Sequence, residues 1–244
     1  MANIWSSSCM RYKASLHLHS KEDFMDGKII DYDIFELIDE AKNKDFDILA
    51  LTCHEKFIFS EEYREYAMKK GILLIPGIEL ALNKTFFTQE HMLVLNCDKS
   101  AETIKDFKDL EKYKQENPSC FIIAPHPGFD IFNSISFKNL ILHIDIFDAI
   151  EHSWCYSDLW NKNKEAIKIA QISDKPMIST SDVHFLGLLD MDYAIIESDS
   201  LEIGDIFENI RNKRFENMTK EKPFLMITKT VFTMFWRTFF RKKR

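Results

Sequence analysis

Histidine, aspartate and glutamate residues recur at the points where the apolar runs of this 244-residue chain stop. Apolar runs of this length, bounded by turn residues, are typical of buried strands. In an α/β barrel, functional groups lie at the carboxyl ends of the strands, so these polar residues would meet at one rim. Imidazoles and carboxylates gathered in one place indicate a metal site before anything else. The runs that end this way are ASLHLHS (His17, His19), DILALTCH (His54), ILLIPGIE (Glu79), CFIIAPH (His126), FDAIEH (Glu151, His152) and PMISTSDVH (Asp182, His184).

Two of these endings carry a pair of ligand-type residues at alternate positions. Side chains at i and i+2 of a strand point to the same face, so His17 and His19 can offer two imidazoles to one cation. Asp182 and His184 repeat the spacing near the other end of the chain. The alternative is a set of histidines hydrogen-bonded inside a polar core, which would be costly to satisfy. The two pairs together with the other strand-end residues therefore favour metal binding.

The stretch between Glu79 and His91 is the exception to the strand-helix alternation. Only 11 residues separate the two, and they show no helical periodicity. Two strands joined over so short a distance form an antiparallel hairpin rather than a parallel crossover. His91 begins the return strand HMLVLN, so we expect it near the end from which Glu79 exits, at the same rim.

Elsewhere the strand-like runs alternate with amphipathic helical patterns. This alternation predicts a mainly parallel sheet in an α/β fold, closed or nearly closed into a barrel. The first helix should begin at an N-cap Asp31, and the second should open with Ser-Glu-Glu at residue 60 and close at Gly71. The predicted helices span residues 31–44, 60–70, 101–116, 157–172 and 202–213.

Composition bounds the class of protein. A hydrophobic fraction of 45% with 21 phenylalanines is ample for one large domain. The chain has no long uncharged apolar stretch, and its first residues lack the apolar segment of a secretory leader, so a cytoplasmic protein is expected. The five cysteines are odd in number and form no CxxC pair, which favours reduced, buried thiols over disulfides or a thiolate zinc site.

Charge is distributed unevenly along the chain. Residues 229–244 contain six basic and no acidic residues. Subtracting these six charges from the net −7 leaves −13 for residues 1–228. An acidic body of this kind repels nucleic acid at long range unless bound metal ions supply local positive charge.

The motifs resemble those of the polymerase and histidinol phosphatase (PHP) superfamily. The resemblance covers residues 15–184 and follows the family's order along the chain. It implies a distorted (β/α)7 barrel over residues 1–216, with a centre of two or three divalent metal ions (Zn, Mn or Fe) that hydrolyses phosphoesters. The matching segments are LHLHS, the Asp26-Gly27 pair, DILALTCH, GIE at 77–79, HMLVLN, APHPG at 124–128 and SDVH at 181–184.

The same resemblance assigns ligands to the individual metals. The first metal would be held by His17, His19, Glu79 and Asp182. Glu79 would bridge to a second metal on His91 and His126. A third would lie on His54 and His184 with either Asp23 or Asp26, of which we favour Asp26 for its adjacent glycine. The residues expected to act in catalysis are Glu79, His54 and Asp182.

One position departs from the family pattern. The family commonly has Asp before the histidine of the third metal, whereas this chain has Cys53 in TCH. The missing acid would weaken the orientation of neighbouring ligands or the local metal affinity.

Three further residues are weighed for roles outside the ligand set. Lys56 lies two residues after a ligand histidine and could contact a substrate phosphate, although a solvated loop lysine is the default. His152 could contact substrate or serve a structural hydrogen bond. His143 is most simply a histidine near the surface of a helix or strand.

Residues 217–244 form an aromatic and basic extension, and two interpretations of its role are open. It could be an interfacial helix on an anionic membrane, or an arm that contacts nucleic acid. The favoured reading is a final helix that packs its Phe and Trp side chains on or beside the barrel, with a solvated basic tail. Because the last recognised ligand is His184, we expect the tail to be separable from the chemistry.

The leading functional hypothesis is an enzyme. It would hydrolyse a phosphoester by metal-activated hydroxide, with a small phosphomonoester, a nucleotide or a short oligonucleotide end as substrate. The alternative is a non-catalytic, metal-binding domain of the same fold with a regulatory or interaction role. The retained ligand set argues against that alternative.

Overall fold

The computed structural model describes residues 9–84, 89–129 and 133–240, and the strands within these ranges form one nine-stranded sheet. Its strands are β1 (Met10–Leu18), β2 (Ile48–Leu51), β3 (Leu73–Leu82), β4 (Glu90–Leu95), β5 (Phe121–Ala124), β6 (Ala149–His152), β7 (Met177–Ser179), β8 (Tyr193–Ser198) and β9 (Phe215–Met218).

The sheet curls into a nearly closed barrel. Its strand order is β7-β6-β5-β4-β3-β2-β1-β8-β9. β1, β2 and β3 are parallel, as are β5, β6 and β7, while β4 runs antiparallel to both of its neighbours. An isolated parallel bridge from Leu18 to Val183 brings the chain after β7 back to β1. The α/β barrel class is therefore confirmed, but a count of seven βα units is not.

Two antiparallel strands extend the sheet beyond β1. β8 pairs with residues Met10 to Ala14 of β1, and β9 pairs with β8. The Asn217 side chain of β9 accepts a hydrogen bond from the backbone N–H of Ser179 in β7 (2.7 Å), so β9 also contacts the other side of the barrel. The expected domain boundary at residue 216 falls inside β9.

Seven α-helices accompany the strands in the described residues. They are α1 (Ile34–Asn43), α2 (Glu61–Lys69), α3 (Phe107–Glu116), α4 (Phe137–Leu142), α5 (Asn163–Ile172), α6 (Ile203–Arg211) and α7 (Phe224–Phe240).

Local capping explains where several helices begin. The expected N-cap Asp31 is wrong, because Asp33 caps α1 and forms a reciprocal capping box with Glu36. Ser60 caps α2 as expected, and Gly71 follows it in the left-handed conformation. The helix expected over residues 101–116 is divided into a short 3₁₀ turn (Lys99–Thr103) and α3, because Asp106 caps α3.

Apolar side chains fill the barrel and the layers around it. The interior cluster includes Leu16, Ile48, Ile75, Leu93 and Phe121, all fully buried. Two further clusters pack the helices on the outer faces of the strands. The described residues include all five cysteines and form no disulfide; four are buried, but Cys9 is exposed, contrary to expectation.

The last helix, α7, packs against the barrel through one side only. Ile227 is buried in a cluster with Phe129 and Trp154, and Met234 packs on the cluster that contains α1. Arg237 donates to the carbonyl of Ile29 (2.6 Å). The part of the extension in α7 thus lies on the barrel, and aliphatic side chains make the contact rather than most of its described Phe and Trp side chains. No helix in the described part of the chain is long and apolar enough to cross a membrane.

Candidate metal centre

An irregularity in β1 turns its two histidines toward the barrel interior. Ala14 and Leu16 belong to the interior cluster, whereas Leu18 packs with α1 outside. The pairing register with β2 shifts between Ser15 and Leu18, as at a β-bulge. A bulge changes which alternate residues face inward, so His17 and His19 point into the barrel at its rim.

The next strands deliver ligand-type residues by simple alternation. Ile48 and Ala50 face inward in β2, and His54 continues that set just beyond the strand. In β3 Ile75 faces inward, and Glu79 lies four residues further on the same face. A parallel bridge joins His54 and Glu79 directly.

The β3-β4 hairpin brings His91 to the same rim, as its length predicted. Glu79 pairs with Leu93, and Ala81 pairs with His91 across the antiparallel ladder. The His91 Nδ1 atom lies 2.8 Å from Glu79 Oε1. The hairpin prediction is confirmed.

Strained backbone presents two further residues of the site. His126 and Asp182 have positive φ angles of 30° and 45°, a region that residues other than glycine rarely adopt. Each follows a strand by two or three residues, after β5 and β7. Such strain costs free energy and is concentrated at functional sites, where the surrounding structure enforces it.

Glu79 lies at the centre of five imidazoles. Its side chain is buried, with 1% exposed, and so are those around it. Its Oε2 atom lies 3.0 Å from His17 Nε2, 3.1 Å from His54 Nε2 and 3.2 Å from His19 Nε2. Its Oε1 atom lies 2.8 Å from His91 Nδ1 and 3.3 Å from His126 Nε2. One carboxylate therefore contacts histidines from the ends of β1, β2 and β5 and from β4.

Asp182 contacts three histidines on the other side. Its Oδ1 atom lies 3.6 Å from His17 Nε2, 3.4 Å from His19 Nε2 and 3.3 Å from His184 Nδ1. The paired motifs at the two ends of the sequence thus meet in space, where β1 and β7 close the barrel.

The two loop aspartates have different surroundings. Asp23 is buried, and its Oδ2 atom lies 2.9 Å from His19 Nδ1 and 3.0 Å from His54 Nδ1. Asp26 is partly exposed to the pocket, and its Oδ2 atom lies 3.0 Å from His184 Nε2. Asp23 therefore contacts the outward nitrogens of two imidazoles, while Asp26 reaches the pocket itself.

Asp23 also supplies an acid near Cys53. The Asp23 carboxylate accepts a hydrogen bond from the backbone N–H of His54 (2.7 Å). Cys53 instead points into the apolar layer that contains α1, where it is 1% exposed. Asp23 in the loop can therefore orient His54 in place of the acid that is missing at position 53.

Glu151 occupies a position that the sequence indicated without assigning a role. It is fully buried at the end of β6, and its Oε2 atom lies 2.8 Å from His17 Nδ1. Its Oε1 atom accepts a hydrogen bond from the backbone N–H of His126 (3.2 Å). The only signal for this role is its place at the end of the apolar run FDAIEH.

The donor set matches the requirements of divalent transition metals. Among the described residues, four groups each bring three ligand atoms within 4.8 Å of one another: His19, His54 and His184; His17, His19 and Asp182; His17, Glu79 and His126; and His54, Glu79 and His91. His19 Nε2 is buried and makes no hydrogen bond of good geometry, although two carboxylates are near. A buried imidazole nitrogen left in this state among carboxylates is suited to a cation.

The pKa shifts of the buried groups also indicate a site for cations. Burial disfavours the charged form of His17, but Glu79, Asp182 and Glu151 outweigh it and raise the pKa of His17 to about 10. Burial opposes ionisation of Glu79 as well, yet the charges of His17, His91 and His54 hold its pKa well below the usual range. The carboxylates therefore require buried positive charge, which bound cations can supply in place of protons.

A pocket of about 250 Å³ opens above these residues. One wall contains Asp26, His54, Glu79 and other members of the cluster. The opposite wall is formed by side chains of α7: Val231, Met234, Phe235 and Thr238. The helix α7 therefore lies beside the cluster of ligand-type residues. The prediction that the basic tail is separable from the chemistry concerns residues 241–244, which lie outside the described residues.

The residues weighed for other roles lie outside this pocket. Lys56 is half exposed and pairs with Glu102 (3.2 Å). His152 packs edge-on against Tyr156, and burial lowers its pKa to about 4. His143 is partly buried and stacks on Phe107, in keeping with a structural role. Neither Lys56 nor His152 lines the cavity above the cluster.

Comparisons with known proteins agree with this geometry. The PHP domain family model matches residues 15–171, which is more than half of the chain. The chain therefore belongs to the PHP domain family. No curated protein matches it.

Solved structures share the fold at low sequence identity. A two-domain protein from Bacteroides vulgatus, containing a predicted PHP-like metal-dependent phosphoesterase, superposes with a TM-score of 0.66 and 22% identity. The match covers 86% of this chain but 65% of that one, so this chain spans less than two thirds of its length.

Two other solved structures are matched over nearly their whole length. PsfC from Pseudomonas syringae has a TM-score of 0.59 at 15% identity, covering 93% of this chain and 98% of that one. An amidohydrolase from Chromobacterium violaceum, with sulfate bound and no metal, has a TM-score of 0.56 at 16% identity, covering 85% and 98%. At these identities the likeness concerns the fold.

Proposed function

We propose that this protein is a metal-dependent phosphoesterase that hydrolyses a small phosphorylated substrate. The observation that carries the proposal is the buried Glu79 carboxylate, with five imidazole nitrogens within 3.3 Å. A stable apolar core would not retain such a cluster for packing alone, because buried charged groups destabilise a fold unless each is compensated.

The proposed ligands divide into three sets, of which the first two share Glu79. His17, His19 and Asp182 form the first with Glu79; His91 and His126 form the second with it; His54, His184 and Asp26 form the third. Asp26 is preferred over Asp23 as a ligand because Asp26 faces the pocket. The metal ions would be two or three divalent transition ions, and a mixed nitrogen and oxygen donor set suits Zn, Mn and Fe alike.

Bound divalent cations would supply Lewis-acid stabilisation of phosphoryl charge and make water a competent nucleophile near neutral pH. The chain's own residues hold the arrangement in place. Asp23 accepts from Nδ1 of His19 and His54, which leaves Nε2 of each ring directed at Glu79. Glu151 does the same for His17. Such partners fix the tautomer and the ring orientation of metal ligands.

Pocket size supports a small substrate. About 250 Å³ lies between the cluster and α7, with Met25, Ile29 and Val231 among the apolar lining residues. This space suits a phosphate group and a modest leaving group. A nucleotide or an oligonucleotide end would have to extend past α7 to bind.

The direct test is turnover by metal-loaded protein. We expect Mn-reconstituted protein to contain two to three ions per chain and to hydrolyse a generic aryl phosphate. Elemental analysis and release of inorganic phosphate measure the two quantities separately. Metal content below one ion per chain contradicts the centre. Full metal content without turnover, on the aryl phosphate and on a panel of phosphorylated metabolites, supports the non-catalytic alternative instead.

A further inference from the structure

The face of α7 that points away from the barrel is apolar and exposed. Leu225, Phe232, Trp236 and Phe240 are 78%, 69%, 53% and 71% exposed. Together with Lys229 they follow a spacing of three or four residues, which places them on one stripe of the helix. Contiguous exposed apolar surface of this kind marks an interaction site.

The orientation of that stripe is set by contacts on the opposite side. Ile227 is 2% exposed between Phe129 and Trp154. Arg237 pairs with Asp31 (2.7 Å), and its guanidinium lies 5.0 Å from the Phe185 ring centre. The helix cannot turn its aromatic face inward without losing these contacts, so that face meets whatever surrounds the protein.

Three of the four threonine hydroxyls of α7 bond to carbonyls within the helix. Thr228, Thr233 and Thr238 donate to the carbonyls of Leu225, Lys229 and Met234, at 3.0, 2.7 and 2.9 Å. A threonine bonded in this way presents its methyl group without an unpaired donor. These three hydroxyls can therefore enter an apolar medium at little cost in lost hydrogen bonds to water.

Charge favours one kind of partner for this face. From Lys229 to the end of the sequence there are six basic residues and no acidic one, while residues 1–228 carry −13. Aromatic and aliphatic side chains beside a basic run are typical of helices that lie in the interface of an anionic bilayer. An acidic protein would meet such a surface only through its basic end.

We infer that α7 is an interfacial helix that binds an anionic lipid surface through Leu225, Phe232, Trp236 and Phe240. The mouth of the pocket above the metal centre lies beside this surface, because Val231 and Phe235 of the same helix line that pocket. The substrate class that follows, and which rests on the proposed function, is the phosphoester of an amphiphile.

A second cavity supports this substrate class. An apolar groove of about 680 Å³ runs along α7 and shares Val231 and Phe235 with the pocket above the metal centre. Leu159 and Trp160 form its other side. A hydrocarbon chain placed in this groove would bring an attached phosphate toward Glu79 and Asp182.

Vesicle binding tests the interface independently of any activity. Sedimentation with phosphatidylcholine vesicles, with and without phosphatidylserine, is measured for the parent and for Leu225→Ser/Phe232→Ser/Trp236→Ser. The parent should bind the anionic vesicles at least about tenfold more tightly than this triple variant. A matched control, Leu142→Ser/Ile172→Ser, removes exposed apolar residues from α4 and α5 and should bind like the parent.

Three outcomes overturn the inference. They are absence of vesicle binding by the parent, equal vesicle binding by the parent and the triple variant, and a dimer of the parent that is lost in the triple variant while vesicles affect neither protein. The fluorescence of Trp236 adds a local readout, because Trp236→Phe separates its emission from that of the other three tryptophans. Anionic vesicles should shift the emission of the parent to the blue, and Trp236→Phe should remove most of that shift while retaining binding. An undiminished shift in Trp236→Phe contradicts insertion of this face.

Turnover then tests the substrate class. The Mn-loaded triple variant should hydrolyse a water-soluble aryl phosphate like the parent, because none of its three changed residues lines the pocket above the metal centre. It should lose at least about tenfold in hydrolysis of a long-chain alkyl phosphate held in anionic vesicles. Equal hydrolysis of the embedded substrate by both proteins overturns the substrate class. If neither substrate is hydrolysed by the parent, the proposed function fails, while vesicle binding still decides the interface.

Discussion

The rim of the barrel buries ionisable side chains, whereas the C-terminal helix exposes apolar side chains. Each region therefore departs from the usual distribution of polarity in a different way. At the rim, Glu79 and His17 are among many ionisable groups buried to 1% exposure or less. On α7, Phe232 and Trp236 leave more than half of their surface in contact with solvent. Both arrangements destabilise an isolated chain, because buried charge and exposed apolar area each cost free energy.

The difference between the two regions lies in what compensates each. Buried imidazoles and carboxylates at the rim can be compensated by a small cation, which the ligand atoms already surround. An exposed aromatic face needs an extended apolar partner, because no small ligand covers a stripe from Leu225 to Phe240. The buried charged cluster therefore indicates a small cationic ligand, and the exposed apolar stripe indicates an extended apolar partner.

The largest expected effect comes from removing the carboxylate at the centre of the rim. Glu79→Ala should abolish most metal binding and lower turnover by at least about 10²–10³-fold, because one side chain contacts all three proposed ligand sets. Metal content and phosphate release measure the effect. Glu208→Gln, a change at an exposed carboxylate of α6, is the control. Turnover within tenfold of the parent would remove Glu79 from the site.

Metal removal should lower the thermal stability of the protein through the rim and not through α7. A ligand that binds only the folded state at about 1,000 times its Kd adds roughly 4 kcal/mol. Chelation should therefore lower the Tm of the parent by on the order of 10 °C. The Leu225→Ser/Phe232→Ser/Trp236→Ser variant should show the same decrease, because its changes are on α7. Glu79→Ala should show little decrease, and a full decrease in that variant argues against a metal centre around Glu79.

The two loop aspartates should differ in how they affect the rim. Asp26→Asn should lower the metal content by about one ion, because Asp26 is the proposed pocket ligand. Asp23→Asn should instead weaken metal affinity by about 10–100-fold, because it orients two histidines without entering the pocket. Metal titration followed by elemental analysis distinguishes the patterns. A full complement of ions at high affinity in Asp26→Asn contradicts its assignment as a ligand.

Loosening the contact between the two regions should have a smaller effect. Arg237→Gln removes the ion pair with Asp31 and the contact over Phe185, at a cost of about 1–3 kcal/mol to the docking of α7. Hydrogen exchange and limited proteolysis of α7 should increase, while the metal content of the barrel stays unchanged. Arg64→Gln, in an exposed ion pair on α2, serves as the control. Unchanged protection of α7 would mean that its apolar contacts suffice.

The smallest effect is expected at Lys56. Its ion pair with Glu102 lies at the surface, where such pairs contribute about 0–1 kcal/mol. Lys56→Ala should change the KM for a soluble phosphate ester by no more than about fivefold, with an unchanged kcat. Steady-state kinetics decide this. A larger increase in KM would give Lys56 the substrate contact that its position in the sequence suggested.

The accuracy of the sequence predictions follows the range of the interactions involved. The α/β barrel class and the β3-β4 hairpin depend on local periodicity and loop length, and both are confirmed. Helix boundaries were less certain, as the N-cap of α1 shows: Asp31 and Asp33 are both good capping residues, but only Asp33 has Glu36 three residues later. That reciprocal pair was present in the sequence and could have decided the question.

The sequence by itself determined which residue types stand at strand ends, because strand alternation and strand-to-rim geometry are local rules. Tertiary structure decided the rest. The β1 bulge that turns His17 inward, the distinct surroundings of Asp23 and Asp26, and the contact of Glu151 with His17 all depend on distant segments of the chain. So does the place of α7 over the pocket, since its own residues are compatible with either of its faces lying on the barrel. Packing against Phe129 and Trp154 selected the aliphatic face, and the aromatic face was left outside.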